Sequence, residues 1–156
     1  MSDIPQRAGV IPFYRNGKDT YFFLGVDSKY KELTDFGGRI SPRTDKTPIH
    51  GGFREFQEES YGAFGRIKPF SKHKKYAIFY DKMIIIYVEL ISHIDVPNIK
   101  SRFMKSLKNA PYKELMDIVH IEKNELLEMV NDENCHKIYS KVKNHLKFSE
   151  DFISNL

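Results

Sequence analysis

The pattern of apolar and polar positions in the N-terminal and central parts of the chain predicts β-strands. Apolar and aromatic residues dominate 8–14 and 20–26, and the polar turn at 15–19 contains Asn16-Gly17, the strongest short signal for a tight hairpin. Two further strands are predicted at 76–80 and 83–90, joined at Asp81-Lys82, because both segments are rich in β-branched and aromatic residues. A short strand is predicted at 118–121.

Other segments have the period of an amphipathic helix. One predicted helix begins between Pro48 and Gly52 and ends by Gly62, and a second covers 98–108, where Ile99, Phe103 and Leu107 recur every fourth residue. One or two helices are predicted at 124–146, and a polar loop is predicted at 27–33. Because strands and helices are interspersed and no linker, repeat or low-complexity segment occurs, we predict an α/β fold in a single domain over 1–156.

The predicted helix around 53–60 has a core face and an acidic face. At about 100° per residue, Phe53 and Phe56 share one side with Gln57 and Ser60, whereas the other side carries three carboxylates, Glu55, Glu58 and Glu59. Clustered carboxylates raise each other's proton affinity unless a cation lies between them, and an all-oxygen cluster suits Mg²⁺. The alternative is a solvated outer face, which is common on surface helices.

A double glycine precedes this helix, in the segment Asp35-Phe36-Gly37-Gly38-Arg39-Ile40. Glycines allow the backbone to approach a ligand closely. The order of Gly-Gly, a loop and Arg-Glu-Phe-Gln-Glu-Glu resembles the signature of the Nudix hydrolases, which runs glycine, five residues, glutamate, seven residues, then Arg-Glu-hydrophobic-any-Glu-Glu-any-Gly-hydrophobic. The second half is matched without a gap by Arg54, Glu55, Phe56, Glu58 and Glu59, and Gly38 matches the first glycine if the loop is two residues longer than usual.

The chain departs from that signature at two positions. Where the family has its first glutamate, strict counting gives Thr44, whereas Asp45 or Lys46 falls there if the extra residues are absorbed around 41–43. The resemblance implies that this residue supports the loop and the arginine. Tyr61 stands where a glycine is expected and Gly62 follows it, which we interpret as a helix that ends one residue later on a left-handed glycine.

The resemblance implies a Nudix-type α/β/α sandwich with a mixed sheet, and hydrolysis of a pyrophosphate bond. Such hydrolysis needs cations that neutralise the phosphoryl oxygens and lower the pKa of the attacking water. The implied ligands of Mg²⁺ or Mn²⁺ are Glu55, Glu58, Glu59 and the backbone carbonyl of Gly37. Arg54 can pair with Glu58 four residues on and, by the same resemblance, organises the glutamates.

The general base is left open between a motif glutamate and an acid from a distant loop. Glu58 is the first candidate, and Glu114, in the loop before 118–121, is the distal one, with Asp117 behind it. Cationic or polar side chains near the motif are candidates for binding substrate phosphates, namely Arg39, Lys46 and His50.

The composition indicates in which cellular compartment the protein is expected. The chain has 156 residues, 40% of them hydrophobic, and a single cysteine, Cys135, so no internal disulfide can form and a reducing, cytoplasmic location is expected. The first residues lack an apolar signal core and the longest apolar run, 83–88, is too short to cross a bilayer.

The net charge is +4 and the pI is about 9.0, and two segments of the chain are rich in basic residues. The first, flanked by Phe70 and Tyr76, consists of Lys68, Lys72, His73, Lys74 and Lys75; the second consists of Lys137, Lys141, Lys143 and Lys147. Cations interleaved with aromatics suit single-stranded RNA, although such runs also serve only solubility. Three functions therefore stand: a metal-dependent hydrolase of a nucleoside diphosphate derivative, an mRNA 5′ cap hydrolase, and a catalytically silent nucleotide-binding module.

Overall fold

A computed structural model describes residues 4–91 and 93–156, and these contain seven strands and five helices. The strands are β1 (Arg7–Asn16), β2 (Asp19–Asp27), β3 (Leu33–Thr34), β4 (Phe36–Arg39), β5 (Lys75–Tyr80), β6 (Met83–Glu89) and β7 (Leu115–Glu122). The helices are α1 (Pro48–Ser60), α2 (Val96–Leu107), α3 (Lys123–Asn131), α4 (Ser140–Phe148) and α5 (Glu150–Ser154). None of these helices is long and apolar enough to cross a membrane.

The strands form one mixed sheet with β1 at its centre. The main order is β3-β2-β1-β6-β5, while β4 pairs with β1 and β7 pairs with β2. β1 is parallel to β6 and antiparallel to β2 and β4, so that Gly9 lies opposite both Ile85 and Gly37. This arrangement places the double glycine of β4 against the beginning of the central strand.

Helices cover both faces of the sheet. Phe53 and Phe56 of α1 and Phe103 of α2 belong to a core on one face, whereas Leu126 of α3 and Leu146 of α4 belong to a core on the other. Each helix buries one apolar stripe against the sheet, as amphipathic helices do. The predicted α/β class and α/β/α sandwich with a mixed sheet are therefore confirmed.

Most predicted elements are present, with differences at their ends. The region predicted as one or two helices holds α3 and α4, and β7 is longer than the predicted 118–121. The predicted polar loop ends earlier, because Leu33 already pairs with Val26 in β3. Helix α5 was not predicted, since five residues are too few to establish a helical period.

Helix α1 begins where the sequence predicts but ends differently. The Thr47 hydroxyl accepts a hydrogen bond from the His50 N–H at 3.2 Å and Pro48 follows it at the first helical position, which together set the N-terminus. The helix ends at Ser60, and both Tyr61 (φ 53°) and Gly62 (φ 67°) are left-handed. The predicted shift of the cap by one residue is therefore wrong, because Tyr61 itself adopts the conformation expected of the missing glycine.

Candidate active site around helix α1

The carboxylates of α1 are aimed away from the core by its phenylalanines. Phe56 is fully buried and meets Phe36 of β4 edge to face, with ring centroids 5.6 Å apart. Because Phe53 is buried against the same core, the helix cannot rotate, and its opposite side faces a cleft of about 310 Å³. This acidic cleft is lined by Glu55, Glu58, Glu59 and Glu114 together with Tyr61 and Tyr112.

Arg54 connects the carboxylates of α1 to the loop before the helix. Its Nη1 atom lies 3.1 Å from Glu55 and 3.2 Å from Glu58, as the sequence predicts for the i, i+4 pair. Its Nε and Nη2 atoms donate to the two carboxylate oxygens of Asp45 at 2.8 and 3.0 Å. Nη2 also donates to the Arg39 carbonyl at 3.2 Å.

Asp45 occupies the place left open by the variant motif. Its side chain is almost fully buried and also accepts the Ser41 N–H at 2.7 Å. The hydrogen bonds from Arg54, above all, hold the pKa of Asp45 below its usual range. Of the three residues that counting left open, Asp45 is the one that supports both the loop and the arginine.

Glu59 and Glu114 lie together at the inner end of the acidic cleft. Glu114 immediately precedes β7, and its carbonyl accepts the Ser28 N–H at 2.9 Å. The Oε1 atom of Glu59 is shielded from solvent and has no hydrogen-bond partner among the described residues. Burial, reinforced by the neighbouring Glu114 carboxyl and by Asp35, raises the pKa of Glu59 to about 10.

The donor set of the cleft suits a hard divalent cation. Within the described ranges, no three His, Cys, Asp or Glu side chains lie close enough together to hold a metal ion. Arg54 draws Glu55 and Glu58 towards itself, and burial together with neighbouring carboxylates raises the pKa of Glu55 as well as of Glu59. Carboxylate oxygens, one of them buried without a partner among the described residues, are the ligand type that Mg²⁺ or Mn²⁺ prefers, so the chemistry of these side chains fits such an ion although they do not converge on one point.

The double glycine leaves room for this arrangement. A Cβ atom on Gly38 would lie 2.6 Å from the Glu55 carboxylate, closer than real contacts allow, so any larger residue would displace that carboxylate. Gly37 lines a second cleft of about 500 Å³, which shares Glu59 and Glu114 with the acidic cleft. The predicted metal ligands and the distal acid are thus brought to one region.

Sequence reasoning missed the other residues of this second cleft. The walls include Arg7, Lys29, Tyr30, Lys113 and Tyr139. Arg7 makes two hydrogen bonds, of 2.8 and 2.6 Å, to the fully buried Asp35. The two residues are separated by 28 positions, and no local pattern in the sequence indicates that they pair.

The predicted phosphate-binding residues lie elsewhere. Arg39 and Lys46 line a cavity of about 660 Å³ beside Pro42 and Thr47, and neither lines the acidic cleft or the second cleft. The His50 ring packs against Phe70 and its Nδ1 atom lies 2.7 Å from the Thr47 hydroxyl. Asp117 pairs with Lys100 at 3.6 Å and likewise lines neither cleft.

The basic runs are partly engaged in local structure. Lys75 donates to the Ser71 and His73 carbonyls, at 2.5 and 2.9 Å, and Lys143 donates to the Asp132 and Cys135 carbonyls, both at 2.7 Å. By contrast, Phe70 is 87% exposed between the exposed Lys68 and Lys72. Only part of each run is therefore available to a partner.

Comparison with known proteins extends these observations. No protein-family model and no curated protein sequence matches this chain. Among solved structures, the binary complex of an Ap4A hydrolase from C. elegans has a TM-score of 0.59 at 14% identity, covering 97% of this chain and 100% of that chain. Another structure of C. elegans Ap4A hydrolase gives 0.54 at 13% identity, covering 96% and 98%.

A NUDIX hydrolase structure from Listeria monocytogenes is also similar, with a TM-score of 0.52 at 11% identity and 95% coverage of both chains. Identities this low carry information on the fold and not on substrate. The fold nevertheless agrees over nearly the whole length of each chain. This chain therefore has the Nudix hydrolase fold.

Proposed function

We propose that this protein is a divalent-metal-dependent hydrolase that cleaves a pyrophosphate bond in a nucleoside diphosphate derivative, by attack of water on phosphorus. The observation that supports this most strongly is the position of Glu59 and Glu114. They line both clefts at once, and the buried Oε1 atom of Glu59 has no partner among the described residues. Unsatisfied buried carboxylates are costly in a purely structural role, which favours a ligand at this point.

Each motif residue has a role in this proposal. Glu55, Glu58 and Glu59, with the Gly37 carbonyl, would hold Mg²⁺ or Mn²⁺, which when bound neutralises phosphoryl charge and acidifies water. Arg54 keeps Glu55 and Glu58 oriented, and Asp45 in turn holds Arg54. The chain itself thus supplies orientation and charge, and little covalent chemistry is required of it.

Two carboxylates are candidates for the general base. Glu58 is 59% exposed and is held by Arg54, so it can reach a water molecule in the open part of the cleft. Glu114 lies at the junction of the two clefts beside Glu59. Separate pH–rate profiles of Glu58→Gln and Glu114→Gln would assign the role, because only loss of the base removes the acidic limb of the profile.

The second cleft suits the substrate. Lys29 and Lys113 supply cations for phosphate groups, and Tyr30 and Tyr139 supply aromatic surface for a base. A cleft of about 500 Å³ is of ordinary size for a small-molecule ligand. These features favour a small nucleotide, and because an Ap4A hydrolase shares the fold, dinucleoside polyphosphates belong among the compounds to be tested.

The test is a substrate panel of nucleoside triphosphates, nucleotide sugars, dinucleoside polyphosphates and capped RNA, each with Mg²⁺ and with Mn²⁺. We expect the unaltered protein to hydrolyse a small nucleotide to products that each end in a phosphate group. Glu59→Gln should lose nearly all of this turnover. Glu128→Gln, an exposed glutamate on α3, is the matched control and should retain activity. Nucleotide binding without turnover would instead favour the silent binding module, and full activity of Glu59→Gln would refute the metal-ligand role.

A second candidate, hydrolysis of the RNA cap, is favoured by the exposure of Phe70. An aromatic ring exposed beside Lys68 and Lys72 is a surface on which an unpaired base can stack. If this candidate is right, long capped RNA is cleaved faster than free cap dinucleotide, the advantage falls with added salt, and Phe70→Ala abolishes it. Equal rates on both substrates would rule out this function.

A further inference from the structure

A basic pocket shares Arg7 with the second cleft. It has a volume of about 340 Å³, and its cationic walls are Arg7, Arg39, Lys82 and Lys141. These come from four separate places: the first residue of β1, the last residue of β4, the turn between β5 and β6, and the N-terminal turn of α4. The pocket lies outside the site proposed for hydrolysis, since of these residues only Arg7 also lines the second cleft.

The positive charges of this pocket are not balanced by the described residues. Arg7 is neutralised by Asp35, but the side chains of Arg39, Lys82 and Lys141 make no ion pair or hydrogen bond with any other described residue. Asp81 is the single carboxylate among the described residues that line the pocket. Three cations that share one cavity with a single carboxylate create a local positive potential that attracts an anion.

Lys82 lies in a two-residue hairpin turn between β5 and β6, a turn that needs positive φ at both of its central residues. Asp81 and Lys82 are left-handed, with φ of 51° and 63°, a region that glycine or asparagine occupies at less cost. The Lys82 carbonyl is fixed by the N–H groups of Gln6 and Arg7, at 2.7 and 3.3 Å. An ammonium group is thus retained at a position where the backbone favours glycine, and such local conflicts are typical of functional positions.

The donors of the pocket match a chain of phosphates. Guanidinium and ammonium groups are the side chains that bind phosphate best, and Gln6, Tyr80 and Asn144 add neutral donors. Its volume is at the lower limit for ligand pockets, which suits a phosphate chain better than a whole dinucleotide. We propose that this pocket binds a polyphosphate group, either inorganic or the di- or triphosphate end of a nucleotide, at a site separate from the acidic cleft.

The test uses the full chain in EDTA at low salt, so that no metal ion can bring phosphate to the acidic cleft. Tripolyphosphate is titrated by calorimetry, and backbone NMR shifts locate the change. We expect shifts in the turn at 81–82 and at 141–144. We also expect the affinity to fall about tenfold or more in the double variant Lys82→Gln/Lys141→Gln, since two charge-assisted contacts are removed.

The control double variant Lys105→Gln/Lys108→Gln removes the same charge from exposed positions on and just after α2 that line none of these cavities. It should bind as the unaltered protein does. Absence of binding, or an equal loss in both double variants, would overturn the proposal, because the effect would then reflect net charge alone.

ATP provides the second arm: affinity equal to that of tripolyphosphate indicates recognition of phosphates only, and tighter binding indicates that the nucleoside also contributes. Turnover is measured separately with Mg²⁺, so failure of this site and failure of the proposed hydrolysis remain distinguishable.

Discussion

The acidic cleft and the basic pocket each bring like charges together, but those charges are compensated in different ways. In the acidic cleft the carboxylates are compensated within the protein: Glu55 and Glu58 pair with Arg54, and Glu59, beside Glu114, retains a proton up to a pKa of about 10. In the basic pocket the cations of Arg39, Lys82 and Lys141 have no ion-pair partner among the described residues.

The difference follows from exposure. Shielded charges lose water and must find partners inside the fold or change protonation, whereas exposed cations are screened by solvent and ions. Substitutions in the acidic cleft are therefore expected to change stability and activity together. Substitutions in the basic pocket should change binding and leave the fold intact.

The largest effect is expected at Asp35, the ion-pair partner of Arg7, which lines both the basic pocket and the second cleft. Asp35 is fully buried and bonded twice to Arg7, so Asp35→Asn leaves a guanidinium without its partner. We expect the free energy of unfolding in urea to fall by about 3 kcal/mol or more. The control is Glu89→Gln, which breaks the more exposed pair with Arg15 and should cost less than about 1 kcal/mol. Similar losses in the two variants would show that burial does not set the cost.

Next in size is the effect of Asp45→Asn on catalysis. The amide cannot accept both hydrogen bonds from Arg54, which would then hold Glu55 and Glu58 less firmly. We expect kcat to fall about 10- to 100-fold, as for partners that orient metal ligands, with a smaller change in KM. Asp45→Glu should recover part of the loss. Asp117→Asn, which alters a pair outside both clefts, should be close to unaltered, and an equal fall in that variant would remove Asp45 from the site.

A smaller effect of opposite sign is expected from Glu59→Gln in the absence of metal. The pKa of Glu59 in the folded protein is about 10, and the ordinary value is 4.5. Between pH 4.5 and pH 10 the folded state therefore keeps a proton that the unfolded state has already released. Stability from this group is complete below pH 4.5 and is lost as the pH rises towards 10. Glu59→Gln should therefore raise the free energy of unfolding at pH 8 in EDTA by about 1 kcal/mol or more, and this gain should disappear below pH 4.5.

The matched control is Glu58→Gln, which removes a largely exposed carboxylate from the same helix. Saturating Mg²⁺ should reverse the order of stability between the unaltered protein and Glu59→Gln, because a metal ion bound only to the folded state stabilises it. If the two glutamine variants show the same pH profile, burial of Glu59 is not the cause of its raised proton affinity.

The acidic cleft and the basic pocket also differ in how far the sequence predicts them. Glu55, Glu58 and Glu59 lie on one helix, where the spacing alone determines their common side, and Phe53 and Phe56 determine which side is buried. Sequence spacing is sufficient there because all of these residues share one period. The α/β class follows in the same way from local patterns.

Contacts between distant segments could not be predicted. Arg7 and Asp35 meet only because β1 and β4 pair, and the choice of Asp45 over its neighbours depends on the path of an irregular loop. The cations of the basic pocket come from four elements, so no window of the sequence contains them together. Tyr61 has a left-handed backbone conformation although its residue type does not favour it, and the residues beside it in the sequence do not predict this conformation.

The smallest effect is expected at Lys82, and it separates the charge of the basic pocket from the strain of its turn. Lys82→Gly removes the strain of a left-handed side-chain-bearing residue, which should stabilise the folded state by about 1–2 kcal/mol. The greater backbone entropy of glycine in the unfolded state offsets about 0.5–1 kcal/mol of this gain. We therefore expect the melting temperature to rise by a few degrees while affinity for tripolyphosphate falls. Lys18→Gly, in the other hairpin turn but at a residue without positive φ, should lower stability slightly and leave binding unchanged. A stabilised variant that still bound tripolyphosphate normally would show that the lysine is not retained for its charge, whereas a stabilised variant that loses binding would show that the turn tolerates strain in order to place a cation in the pocket.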